Sequence, residues 1–272
     1  MGFKTNALTS SLVFMACGAL LTVHAAQADT QNEVQAVAVD IEDVDDALFG
    51  ANYIRYFESI NNKEGAYLIN PYLQRVSSVT GGYYNIDNSD IYNLGGTFYL
   101  DEKWMLSVEG SHAEFNDNFD NSDLTVVDVR GGFNLSRQWQ IGAGLVYQRA
   151  SYDSIGNDVA ISDSESDTSP IAFTRYTLLS KYGTGWDLMA QYIADDVDNL
   201  DISARYFFSP GLSVAGTYSY VNAPDGVDDE KVVGVEVDYW MSDKFALKLA
   251  HEFDVDSDID SDVTMLRASY RF

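Results

Sequence analysis

The chain has 272 residues, one cysteine, and 42 acidic against 16 basic side chains, for a formal charge of −26 and a pI near 4.1. So acidic a protein is excluded from binding nucleic-acid phosphates over any broad surface. No stretch supplies the ~20 continuous apolar residues of a spanning helix, which excludes a helical membrane protein but not one that crosses with strands.

Taken from the start, the chain opens on a targeting pattern. Lys4 is the only charge before the apolar stretch "ALTSSLVFMACGALLTV" (Ala7 to Val23), and the small-residue site Ala26-Gln27-Ala28 precedes Asp29. Those are the n-region, h-region and A-x-A end of a secretory signal. Cleavage is expected after Ala28, with Ala25 as the alternative. Cys17 lies inside the apolar stretch, and Phe14-Met15-Ala16 departs from the Leu-led box of a lipidated cysteine. Residues 29–272 then form one domain without thiol or disulfide chemistry.

Fourteen strands are expected, over 33–42, 47–59, 66–85, 90–101, 103–115, 123–135, 137–152, 168–181, 185–195, 199–208, 211–222, 231–241, 243–254 and 262–272. Twelve or sixteen stay open, because 66–85 is long, contains Pro71, and must bulge or include an inward-folded segment. From the fifth strand on, alternation is regular. Trp104, Leu106 and Val108 oppose Ser107 and Glu109; Trp139, Ile141, Ala143, Leu145 and Tyr147 oppose Gly142, Gly144 and Gln148. Val233, Val235, Val237 and Tyr239 oppose Gly234, Glu236 and Asp238. A strand sends alternate residues to opposite faces, so each strand has one apolar and one polar side. The apolar side starts and ends on aromatics, as two membrane interfaces select.

Connections alternate between tight turns ("FYLDEKW", "FNLSRQW", "YWMSDKF") and longer Asp-rich loops such as "FNDNFDNSD" (115–123) and "DVDSDIDSD" (254–262). Short periplasmic turns and long outer loops are the rhythm of outer-membrane barrels. The expected fold is all-β: a transmembrane antiparallel up-and-down β-barrel, with both ends of the strand series at the periplasmic side. In its last strand Leu266, Ala268, Tyr270 and Phe272 face lipid. Such alternation ending on an aromatic is similar to the signal that outer-membrane assembly machinery reads.

The stretch "KEGAYLINPYLQRVSSV" (Lys63 to Val79) resembles a segment of the general bacterial porins of Gram-negative bacteria. Their pattern runs Gly-Pro, a short run with a Glu, then aromatic-Leu-polar-Arg-x-Ser. Gly65, Tyr72, Leu73, Gln74, Arg75 and Ser77 fit it, whereas Ala66 stands for the proline and Ile69 for the glutamate. The resemblance implies a porin of the outer membrane.

Parity assigns a pore lining: Glu109, Asp128, Arg130, Gln148, Arg175, Asp187, Gln191, Arg205, Glu236, Asp238, Lys248, Glu252, Arg267 and Arg271. Both signs on inward faces set a field across a passage, as charge rings do. Inward Gly, Ser and Ala leave room for one, since barrels of ~16 strands hold an aqueous channel. The 154–169 connection is the expected constriction.

The acidic loop 254–262 has Ile259 and Met265 where a calcium loop needs Gly and Glu, so no metal or cofactor is expected. These loops would instead attract divalent ions shared with lipopolysaccharide. His112 and His251 lie on the lipid-facing parity without a serine two positions away on their own strands, so no enzyme is expected. The function expected is passive diffusion of small hydrophilic solutes with a mild cation preference. The alternative is a structural or surface-interaction barrel with a blocked lumen and working acidic loops. Expected partners are outer-membrane lipids, lipopolysaccharide, the assembly machinery and the solutes, with the chain as monomer or homo-oligomer.

Overall fold

A computed structural model describes residues 30–42, 47–61, 65–86, 88–116, 120–156, 159–195, 197–222, 229–255 and 262–272; the expected signal at 1–28 lies outside them. The alternating segments form fourteen strands: β1 (Asn32–Ile41), β2 (Leu48–Tyr56), β3 (Ser78–Ile86), β4 (Ser89–Tyr99), β5 (Trp104–Asn116), β6 (Asp120–Asn134), β7 (Trp139–Gly156), β8 (Val159–Leu179), β9 (Gly185–Ile193), β10 (Asn199–Ser209), β11 (Leu212–Val221), β12 (Glu230–Trp240), β13 (Phe245–Asp254) and β14 (Val263–Arg271). Each is antiparallel to its sequence neighbours. β14 pairs with β1 from Glu33 opposite Arg271 to Ile41 opposite Val263, which closes the barrel and removes its edges.

The sidedness follows the parity. Leu94, Trp104, Val129, Leu145, Val235 and Leu266 are exposed on the outside, whereas Ser107, Asp128, Asp187, Ser213, Asp238 and Ser269 are buried within. A soluble sandwich would bury the first set. Here the contiguous apolar face is the outer one, and only hydrocarbon can cover it around a closed wall.

The tight turns share a device. Asp101 accepts from the backbone N–H groups of Lys103 and Trp104 at 2.6 and 2.8 Å, and these bonds, Trp104's first, hold its carboxyl below the usual range. Ser136 does the same for Gln138 and Trp139, and Ser242 for Lys244 and Phe245. A short polar side chain that caps its own turn lets the chain reverse and re-enter the sheet on an interface aromatic.

Two expected segments differ. The span 66–85 is a strand only from Ser78; before it, Tyr67–Ile69 form a 3-10 turn that runs into one helical turn, Asn70–Leu73. Pro71 cannot donate to a ladder but fits the first turn of a helix, and Arg75 at φ 55° ends it. This segment leaves the wall between β2 and β3 and crosses to the other side of the barrel. The Tyr67 N–H donates to the Pro210 carbonyl at 2.9 Å, and Ala66 and Ile69 pack on Phe207. Gly183 (φ 73°) admits it, since a Cβ there would stand 2.5 Å from the Gly65 carbonyl oxygen.

Of the connection 154–169, expected to fold inward as the constriction, the described residues 154–156 and 159–169 instead continue the wall. β7 and β8 stay paired residue by residue out to Gly156 opposite Val159. Its backbone groups are spent in that hairpin, and the crossing element is 65–76.

Near the extracellular end the inner face turns apolar. Val39, Leu48, Tyr84, Ile91 and Ala113 of β1–β5 form one buried cluster, and Val126, Val146, Ile171 and Ile193 of β6–β9 form another. Leu124 packs against both and joins them into one half-collar along β1–β9. The Tyr84 ring lies over Gly50, where any Cβ would occupy the ring's space.

Candidate functional site

Between the collar and the crossing segment the lumen holds a chamber of about 760 Å³, in which Met105, Phe173 and Met189 stand among the charged side chains. Glu109, Arg130, Arg175, Gln191, Asp201, Glu236 and Glu252 line its walls, and Pro71, Tyr72 and Val76 form its floor.

Small inward residues let long side chains reach past their neighbouring strands. Arg130 grips Asp128 through Nε at 2.7 and 2.8 Å and donates from Nη1 to Gln191 Oε1 at 2.8 Å, passing β7 and β8. Gln191 Nε2 donates in turn to Asp201 Oδ2 at 2.8 Å, whose other oxygen accepts from Ser219 at 2.6 Å. Arg205 reaches over β11, where Ser213 and Ala215 are buried beneath it, and clasps both Glu236 and Asp238. Lys248 Nζ donates to Glu236 Oε1 at 2.5 Å, and Arg267 lies 3.8 Å from Asp238. Nearer the floor Arg175 holds Asp187 at 2.9 and 2.8 Å, Thr177 adds a bond at 2.6 Å, and the guanidinium stacks 3.7 Å above the Tyr72 ring.

Arg271 sits apart from this network, below the chamber. It donates to Glu33 Oε2 at 2.6 Å and to the Tyr67 carbonyl at 2.6 Å, and lies 4.1 Å above the Trp240 ring. Tyr56 and Gln35 also donate to Glu33, so this pair is fully bonded and dry. It ties the closing strands to the crossing segment. Gln148 lies higher than the chamber, opposite Val126 and Asp167.

The charges do not balance. Arg130, Arg175, Arg205, Lys248, Arg267 and Arg271 each have a carboxylate partner. Glu109, bonded by Ser107 at 3.4 Å, and Asp201, bonded by Gln191 and Ser219, have neutral partners. Glu252 has no ion pair among the described residues, and Gly234 leaves it room, since a Cβ there would come within 2.9 Å of Glu252 Cγ. Arg205, Lys248 and Arg267 share Glu236 and Asp238, so the six basic groups meet five carboxylates. With Glu109, Asp201 and Glu252 these become eight, against seven cations when Arg75 of the crossing segment is included, and the surplus is negative.

Three contributors are missing from the parity-assigned lining, and two of them lie beyond the reach of single strands. Asp201 shares a face with Arg205, four residues on, and that spacing could have found it. Glu33 is identified only through the β1–β14 closure, and Tyr72 only once 65–76 leaves the wall. On the outer face His112 Nδ1 lies 2.9 Å from Thr125 Oγ1, and His251 Nδ1 lies 2.9 Å from Thr264 Oγ1. Each hydroxyl comes from the neighbouring strand, which a search along one strand cannot reach. Among the described residues, no group of His, Cys, Asp and Glu is arranged to hold a metal ion.

No protein-family model matches the chain, and no curated protein matches it. Among solved structures it is similar to the outer membrane protein Omp33 of Acinetobacter baumannii, with a TM-score of 0.66 at 18% identity over 90% of this chain and 99% of that one. Weaker likenesses are to the monoaromatic hydrocarbon channel CymD (TM-score 0.48, 9% identity, 100% of this chain and 95% of that one) and to a mutant of the Rh. blastica porin (0.43, 9%, 89% and 99%). What the Omp33 likeness establishes, together with the closed wall and its apolar outer face, is the fold: this chain is an antiparallel β-barrel of the outer-membrane type.

Proposed function

We propose that the chain sits in the outer membrane of a Gram-negative bacterium and forms a passive channel for small hydrophilic solutes with a mild cation preference. It would do so as a porin, without enzymatic activity. The observation that carries this is the chamber and its surrounding charges, where the carboxylates of Glu109, Asp201 and Glu252, added to those of the ion pairs, outnumber the basic groups. A permeating solute meets fixed dipoles and charges that replace part of its hydration, and a surplus of carboxylates raises the local concentration of cations. The crossing segment supports a second reading, a barrel closed at its periplasmic end that works through its outer surface.

Purified protein in a planar bilayer separates the two. The channel reading predicts stepwise conductance and, under a KCl gradient, a reversal potential of the sign for cation permeation. E109Q/E252Q should move that potential toward zero. A silent bilayer would favour the closed barrel, and anion preference would refute the role given to the carboxylates.

A further inference from the structure

Arg75 has no ion pair or hydrogen bond from its guanidinium among the described residues, and its Nη1 is buried. The backbone that carries it is strained: Arg75 ends the helical turn of the crossing segment at φ 55°, where glycine is at ease and arginine is not. Bonds from the Arg75 N–H to the Tyr72 carbonyl at 3.1 Å and from the Val76 N–H to the Pro71 carbonyl at 2.9 Å hold it there. A buried donor without an acceptor is costly, and a carboxylate is the acceptor that suits a guanidinium best. Arg175, on the chamber wall, spends Nε and Nη2 on Asp187 and keeps Nη1 free of hydrogen bonds among the described residues. Both guanidinium groups act electrostatically on the hydroxyls of Tyr72 and Tyr99, which line the chamber. The lower end of the chamber is thus built for an anion.

Carboxylates hold the upper end. Tyr99 is the last residue of β4 and Arg175 stands four residues above the periplasmic end of β8, whereas Glu252 and Asp201 stand seven and eight residues above those of β13 and β10. On tilted strands, four residues at ~3.4 Å each separate the levels of Arg175 and Asp201 by about 10 Å along the axis. A free amino acid is too short to meet both, but an extended chain of three residues spans at most about 10–11 Å. Met105, Phe173 and Met189 give its side chains an apolar wall. We infer that the chamber binds short peptides in transit, zwitterions of two or three residues, with the C-terminal carboxylate toward Arg75 and Arg175 and the N-terminal ammonium toward Glu252 and Asp201. The inference rests on the channel reading above and names the solute class that channel admits.

Block of the potassium current reads this out. A peptide held in the chamber interrupts the current through a planar bilayer in KCl, and the concentration that halves the current gives an apparent Kd. The probes are trialanine, alanine, which lacks the span, trialanine amide, which lacks the carboxylate, and N-acetyl-trialanine, which lacks the ammonium. Trialanine should block about tenfold more tightly than each of the other three, the value of one charge-assisted contact. R75G removes the guanidinium and places glycine in the left-handed turn that suits it. It should weaken trialanine by about tenfold and leave trialanine amide where it was. Trialanine blocking no more tightly than any one of the other probes, or R75G blocked by it as tightly as the unaltered protein, would overturn the inference and leave the channel standing. No potassium current from the unaltered protein would overturn the channel reading and the inference with it.

Discussion

Replacing Arg271 with methionine should lower the unfolding free energy of the barrel by about 3–5 kcal/mol, measured by urea titration in detergent micelles or lipid vesicles. The substitution keeps most of the volume but leaves the Glu33 carboxylate, only 3% exposed, without its cation. An uncompensated buried charge costs more than the pair contributes, because the desolvation of the remaining ion is no longer offset. The loss is not confined to one contact. Arg271 also donates to the Tyr67 carbonyl and lies over Trp240, so it joins β14, β1 and the crossing segment. A double variant, R271M/E33L, should recover most of the stability, since exchanging a whole buried pair for apolar residues is often close to neutral. If R271M unfolds like the unaltered protein, the Glu33–Arg271 pair is not the closure clamp described.

The second large effect is expected on the outer wall. Val235, on the outward parity of β12 and 47% exposed, stands between Tyr239 at the periplasmic end and the outer loops. Arginine there would place a guanidinium against acyl chains, at about 2–4 kcal/mol near the bilayer midplane. An inward substitution of the same kind, S203R beside the chamber, should change stability by no more than about 0.5 kcal/mol, because it meets water. Equal costs for V235R and S203R would mean that the two faces do not differ in solvent.

Much of this arrangement was legible from period and punctuation. The outward aromatics, the inward Asp128, Asp187 and Asp238, and the capped turns at Asp101, Ser136 and Ser242 follow from alternation and local hydrogen bonding, which act within a few residues. The departures come from interactions that no local window contains. Pro71 signals that 66–85 is not one plain strand. The direction of 65–76 is set by partners far along the chain, Pro210, Phe207 and Arg271. The 154–169 segment is polar enough to read as a loop, yet 154–156 pair with 159–161 and 162–169 pair with 146–153, and cross-strand pairing overrides composition. The collar was missed for a related reason. On β1–β4 near the outer end both parities carry apolar residues, as in Val37, Ala38, Val39 and Ile41, so alternation no longer reports which side is inside.

The charge network shows the same division. Parity placed Arg205, Glu236 and Lys248 on the inner wall, but not which of them would pair. That depends on the small residues between them: Ser213 and Ala215 open the way from β10 to β12, and without them Arg205 would meet only its own neighbours. What remains unmatched after pairing, Glu109, Asp201 and Glu252, is what a passing solute would meet.

The most direct test of which face meets lipid uses the four tryptophans. Trp104, Trp139 and Trp186 lie on the outer face, 51%, 46% and 46% exposed, whereas Trp240 points inward at 6%. Single-tryptophan variants, with the others replaced by phenylalanine, are reconstituted in bilayers of brominated phospholipid and their fluorescence is compared with that in unbrominated lipid. Strong quenching at positions 104, 139 and 186 with little at 240 is the predicted result. Quenching of Trp240 as strong as that of the other three, or none at those three, would contradict the sidedness on which the chamber, the collar and the channel depend.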